Sequence, residues 1–202
     1  GRYIKNVLFY FILFFSLSSH AKLLEELGIG VGMSMISYTE QQGNITGDNV
    51  QEPTSGSFSV ITTNLYWKSV PKDKYSYFIE GFFPLLPGSG NSFFGGSFGV
   101  EYYFSNDNGI LRETNGEFKI SMDPKLRYYG IANVSSYYFA YETETAKKND
   151  INVSLNAGAG AVYSMSDTYG LKADVVVGRG VGVITSTLLV RAFFSYVYYW
   201  DN

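Results

Sequence analysis

A catalytic centre needs a base, a nucleophile or a metal ligand, and this chain is poor in all three. It has no cysteine and a single histidine, His20. Without thiols there is no Cys nucleophile, no disulfide and no Cys-based metal site. Three glycine runs could imitate a phosphate loop: Gly28 to Gly32, Gly158 to Gly160 and Gly178 to Gly182. None has the G-x-G-x-x-G spacing at the start of a helix, and packing in a crowded interior explains them better. Asn44-Ile45-Thr46, Asn133-Val134-Ser135 and Asn152-Val153-Ser154 match a glycosylation pattern that needs a eukaryotic secretory route. The acidic residues Glu40, Asp48 and Glu52 lack calcium-loop spacing and read as a solvated loop. No catalytic, cofactor-binding or metal-ligating residue is assigned.

What remains is a set of charges at alternate positions. Lys68, Glu80, Glu101, Arg127, Lys172, Asp174 and Arg191 each fall on the face of their segment that is otherwise small and polar. They are four bases against three acids. If that face lines a confined space, the charges must pair, because an isolated buried charge is prohibitively costly. A salt-bridged plug is the expectation; a gated polar path through the same network is the alternative.

The elements that would position these charges are strands. From Ile151 every second residue reads Ile, Val, Leu, Ala, Ala, Ala, Tyr, while the others read Asn, Ser, Asn, Gly, Gly, Val, Ser. Alternation of this kind is a strand signal. It recurs over 27–38, 57–70, 75–84, 92–104, 124–142, 151–166, 170–182 and 185–200, giving eight strands. All five prolines fall in loops or at strand ends, as the loss of a ladder hydrogen bond requires. Asn115-Gly116 marks a hairpin with arms too short to span a bilayer; if the arms lengthen, the count rises to ten. A bulge or kink is expected in the glycine-rich 178–185 segment.

The N-terminus carries Arg2 and Lys5, an apolar stretch over 7–19 and the small-x-small site Ser19-His20-Ala21. This is a signal peptide over 1–21, leaving a single domain over 22–202. Cleavage would remove His20 and change the formal charge from −3 to −5 (13 basic, 18 acidic residues). That balance is too mild to imply a nucleic-acid partner.

Period two fits a soluble barrel and a membrane barrel equally, with the faces exchanged. Three features favour the membrane. The polar face is mostly Gly, Ser, Thr and Asn rather than Lys and Glu. Aromatics cluster by end: Trp67, Tyr75, Tyr77, Tyr102, Tyr128, Tyr163, Tyr198 and Trp200, with Tyr66 and Phe104, at one rim, and Tyr38, Phe83, Phe93 and Tyr141 at the other. Two girdles are what interfacial anchoring needs. Short turns at 71–74 and 167–170 alternate with a long loop at 39–56, matching short periplasmic turns and longer outer loops.

Residues 154–175, the "GVEYYF" of 99–104 and the aromatic last strand resemble the small bacterial outer-membrane β-barrels of OmpA/OmpX type, with OmpW-like barrels more distant. The chain departs from the family by running past Trp200 to Asp201 and Asn202 and by its longer 105–123 segment. The resemblance implies an all-β, antiparallel up-and-down transmembrane barrel in the outer membrane of a Gram-negative bacterium. It implies outer-membrane lipid and lipopolysaccharide, the barrel-assembly machinery and an extracellular or envelope protein as partners. The barrel enzymes it includes, such as lipid A acylases and omptin-type proteases, rely on histidine, which the cleaved chain lacks. The expected role is therefore structural or interactive, through the outer loops. The alternatives are a narrow channel or transporter for small or apolar solutes and a secreted soluble barrel binding an apolar ligand.

Overall fold

In the computed structural model the described residues are 24–41, 54–70, 74–85, 92–104, 111–114, 117–120, 126–142 and 147–201. The proposed signal peptide, the tip of the 39–56 loop and the Asn115-Gly116 turn lie outside them.

Eight strands close into an antiparallel barrel: β1 (Leu24–Glu40), β2 (Ser55–Val70), β3 (Tyr75–Pro84), β4 (Phe93–Tyr103), β7 (Leu126–Glu142), β8 (Lys147–Ser164), β9 (Tyr169–Gly182) and β10 (Thr185–Asp201). Each pairs with its sequence neighbour, and β10 closes onto β1. The short β5 (Leu111–Thr114) and β6 (Glu117–Ile120) form a separate two-stranded hairpin. It stands outside the barrel between β4 and β7, so the count is eight and not ten.

The registers fix the stagger. Partners run Glu26–Lys68–Phe78–Gly99–Asn133–Asn156–Gly178–Leu189 and return to β1 at Ile36, ten residues above the start. At ~3.3 Å per residue and ~4.8 Å between strands, this tilts the strands by about 40°. One residue then climbs ~2.5 Å along the barrel axis.

The faces are those of a membrane barrel. Leu27, Ile29, Val31, Met33 and Met35 of β1 point outward and are exposed, as are Ile151, Val153 and Leu155 of β8. The alternating partners Glu26, Ser34, Asn152 and Ser154 are buried inside. An exposed apolar belt around a polar interior is stable where lipid covers it. A soluble barrel would invert the faces.

The 178–185 segment differs from expectation. Pairing of β9 is unbroken to Gly182 with β8 and to Val181 with β10, without a bulge, and a two-residue turn at 183–184 leads into β10. The glycines serve the interior instead. A Cβ at Gly178 would overlap the Asn156 side chain, and one at Gly180 would meet the Tyr137 and Thr187 hydroxyls. The other runs act alike: a Cβ at Gly28 would overlap the Tyr66 ring, and one at Gly160 the Tyr129 ring. Each glycine gives up its side chain to make room for one from another strand that crosses the lumen.

Candidate functional site

The lumen is built by strand parity. Inward positions are even in β1, β2, β3, β8 and β9 and odd in β4, β7 and β10. Lys68, Glu80, Glu101, Arg127, Lys172 and Arg191 point inside and are buried, and Asp174 points inside with 12% of its side chain exposed. The set contains one residue not anticipated from sequence, Glu26, which is fully buried. It stands just before the alternating run of 27–38, where a strand start is hardest to place. With it this set comprises four acids and four bases.

Two networks organise these charges. Toward the chain-terminal rim, Lys68 Nζ lies 2.8 Å from Glu26 Oε2 and 3.0 Å from Glu101 Oε2. Lys172 donates to the other oxygen of Glu101 and lies 3.7 Å from Asp174. Tyrosines complete the set: Tyr66 donates to Glu26 at 2.6 Å, Tyr103 to Glu101 at 3.1 Å, and Lys68 to the Tyr103 hydroxyl at 2.9 Å. The Lys172 ammonium also sits 4.3 Å from the centroid of the Tyr66 ring. One carboxylate thus serves two ammonium groups inside an aromatic sleeve. In the second network, Arg191 Nη2 is 3.1 Å from Glu80 Oε2, and Asn64 and Ser97 donate to the two oxygens of Glu80 at 2.9 and 3.2 Å. Arg127 donates to Ser164 at 3.2 Å, with its guanidinium over the Tyr103 ring.

An amide and hydroxyl layer lies between the ion pairs and the far rim. Asn156 donates to Asn133 at 2.6 Å and to Ser135 at 2.8 Å, and Ser97 and Ser135 share a bond of 2.9 Å. Inside the lumen, the ion pairs and amides surround a cavity of about 20 Å³ lined by Asn64, Glu80, Lys172, Asp174 and Arg191 among others. That is room for a water molecule or two.

The far end is closed by rings. Tyr38, Phe93 and Tyr141 were expected to form an outward girdle there. They instead point inward and are buried, packing with Phe82, Tyr137 and Phe139. Tyr38 and Tyr141 have centroids 4.3 Å apart. The reason is parity: position 38 is even in β1, and 93 and 141 are odd in β4 and β7, so all three share the lumen face. Of the four, only Phe83 faces out. Tyr66 is likewise inside, 3% exposed. The other rim keeps its outward girdle: Tyr75, Tyr77, Tyr102, Tyr128, Tyr163 and Tyr198 are exposed, and Trp67 and Trp200 are half-buried. With the registers and tilt above, all eight fall within ~6 Å of one plane.

At the far rim, Lys148 Nζ and the Tyr141 hydroxyl donate to Glu40 Oε1 at 2.7 and 2.9 Å. Asp150, read from sequence as loop, lies in β8 and clamps the 183–184 turn. It accepts from the amides of Ile151, Val183, Ile184 and Thr185 and from the Thr185 hydroxyl. Among the described residues no group of three or more His, Cys, Asp or Glu side chains could hold a metal ion.

No family model matches the chain, and no curated protein matches it either. Among solved structures, Neisserial surface protein A superposes with a TM-score of 0.51 at 9% identity, over 85% of this chain and 96% of that one. This chain shares the closed-barrel fold of that protein. The N-terminal β-barrel domain of Pseudomonas aeruginosa OprF gives a TM-score of 0.46 at 11% identity, over 81% of this chain and 96% of that one. The attachment invasion locus protein Ail of Yersinia pestis gives 0.41 at 12% identity, over 85% and 97%. At these identities the likeness is one of fold.

Proposed function

We propose that the chain is an outer-membrane barrel of structural and interactive role, sealed along its axis, that meets partners through the loops of its aromatic-plugged rim. The observation that carries this reading is the filled lumen: Lys68, Lys172 and Arg191 paired with buried carboxylates, Arg127 held on Ser164 and the Tyr103 ring, an amide layer, a ring plug and, between them, a cavity of only about 20 Å³. The histidine-free chain beyond residue 21 argues against the catalytic barrel types. The same reading places the chain in the outer membrane of a Gram-negative cell after removal of residues 1–21. Lipid and lipopolysaccharide would surround it, and the assembly machinery would insert it.

Two experiments test the proposal. Outer-membrane fractions run boiled and unboiled in SDS should show a heat-modifiable band. Planar bilayers holding the folded wild-type protein should stay closed, as should those holding Arg127→Ala. Stepwise conductance in the wild type that disappears or changes in Arg191→Ala would overturn the sealed lumen and favour the channel reading.

A further inference from the structure

The outward face of the barrel carries one charge where none belongs. Arg179 is at an odd position of β9, so it faces away from the lumen, and it is exposed. Its cross-strand partners are Leu155 and Leu188, both exposed and outward. Along its own strand it is flanked by Val177 and Val181, also exposed. Among the described residues, every other outward side chain between the girdle plane and the far edge of the apolar belt is uncharged, and no carboxylate pairs with Arg179.

Its depth follows from the registers. Arg179 stands ~20 Å above the girdle plane, given ~2.5 Å of climb per residue. The apolar belt of such barrels is ~25 Å tall. Arg179 therefore lies just inside the far edge of the belt, where a guanidinium can snorkel to the headgroup layer while its stem stays among hydrocarbon. The apolar surface also continues above it, through Val181, Val183 and Ile184 at the turn and Ile151 on β8.

The far-rim aromatics sharpen the point. The outward rings at that depth, Phe83, Phe94 and Tyr138, all lie on β3, β4 and β7, with Phe94 and Tyr138 stacked 5.0 Å apart. Among the described residues, the arc from β8 through β10 to β2 has no outward ring there. It carries Arg179, and its neighbours Ser37, Thr39, Ser59 and Ser186 supply outward hydroxyls at the edge. One arc is anchored by rings and the other lacks that device.

We infer that Arg179 is a headgroup site for an anionic, phosphate-bearing lipid of the far leaflet. The guanidinium takes the phosphate in its bidentate fork. The acyl chains lie on Val153, Leu155, Val177 and Leu188. A cation unpaired among the described residues, ringed by exposed aliphatic side chains and set at headgroup depth matches an amphiphile with a negative head. This inference rests on the membrane reading above and adds a specific lipid contact to it.

Native mass spectrometry of the full chain in detergent, titrated with phosphatidylglycerol or phosphatidylcholine, tests it. The wild type should retain one phosphatidylglycerol in preference to phosphatidylcholine by about fivefold, the equivalent of ~1 kcal/mol per basic residue near an anionic surface. Arg179→Gln should bring the ratio to about one, and Arg179→Lys should keep part of it. Lys147→Gln, a basic residue exposed on β8 above the belt, should leave it unchanged. An equal ratio in wild type and Arg179→Gln overturns the site. Heat-modifiable mobility after insertion into vesicles is read for each variant in parallel. A wild type that fails to insert refutes the membrane reading, whereas one that inserts without headgroup preference refutes only this inference.

Discussion

Replacing Glu101 by Gln should be among the most damaging isosteric changes in the barrel. The carboxylate is 1% exposed and holds both Lys68, at 3.0 Å, and Lys172. The amide keeps the shape and removes the charge. Lys68 retains Glu26 at 2.8 Å, but Lys172 is left with Asp174 at 3.7 Å. Breaking a buried pair by removing one partner costs about 3–5 kcal/mol, because the remaining charge stays buried without compensation. The retained Glu26 contact and the amide oxygen put the expected loss at the lower end, ~3 kcal/mol. The assay is urea unfolding of vesicle-inserted protein, followed by tryptophan fluorescence. Trp67 and Trp200 both sit at the lipid-facing rim, so their emission reports exit from the membrane. The double variant Glu101→Gln/Lys172→Met removes the stranded ammonium and should recover ~1–2 kcal/mol, the coupling of residues in one network. If the single variant loses less than ~1 kcal/mol, or if the two substitutions simply add, the pairing argument is wrong.

Gly28→Leu drives a side chain into the Tyr66 ring and should destabilise by about 1–3 kcal/mol, whereas Gly81→Ala, where a Cβ meets nothing within 4 Å, should be neutral or slightly stabilising; equal unfolding midpoints for the two would refute the lumen-packing role of the glycines. Asp150 lies beyond the apolar belt. Burial tends to raise its carboxyl, but the Thr185 hydroxyl and the amides of Ile184, Thr185 and Ile151 outweigh that and hold it below its usual value of 3.8. Since its folded value is the depressed one, its contribution is fully present above pH ~4 and is lost as pH falls through the folded value. The stability gap between wild type and Asp150→Asn should therefore be constant from pH 7 to 5 and narrow toward pH 2; a gap independent of pH over that whole range contradicts the clamp. Glu40 is lowered chiefly by its hydrogen bond from Lys148, and because Lys148 is 38% exposed, Lys148→Met should cost less than ~1 kcal/mol in the same unfolding experiment.

The strands were legible because period two survives the environment: whichever face meets lipid, alternation marks it. That is why the eight spans, and the lumen positions of Lys68, Glu101 and Arg191, could be read without coordinates. What alternation does not give is the distance across the lumen. The glycines of 178–182 looked like a bend because their partners were invisible; in the folded barrel those partners are Asn156, Tyr137 and Thr187, contributed by β8, β7 and β10. Strand ends were blurred for a related reason. Glu26 and Asp150 each lie where the apolar alternation starts, and a charge at such a point looks like loop until pairing shows it is ladder.

The far girdle shows most clearly where rim-based reading and parity part. Sorting aromatics by strand end placed Tyr38, Phe93 and Tyr141 at the correct height but on the wrong face, although their odd or even positions already specified the lumen. Height is read from distance along the strand, face from parity, and an anchoring argument needs both. The same two coordinates single out Arg179. Parity turns it outward because Lys172 and Asp174, on the other set of β9, are the inward charges. Register then sets it near the lipid edge. A tyrosine that fails the parity test joins the plug and costs the membrane nothing, whereas an arginine that passes it must find a counter-charge in the bilayer. Anchoring at the far rim is therefore asymmetric: rings hold β3, β4 and β7, and the wall around β9 depends on a single cation and the lipid that meets it.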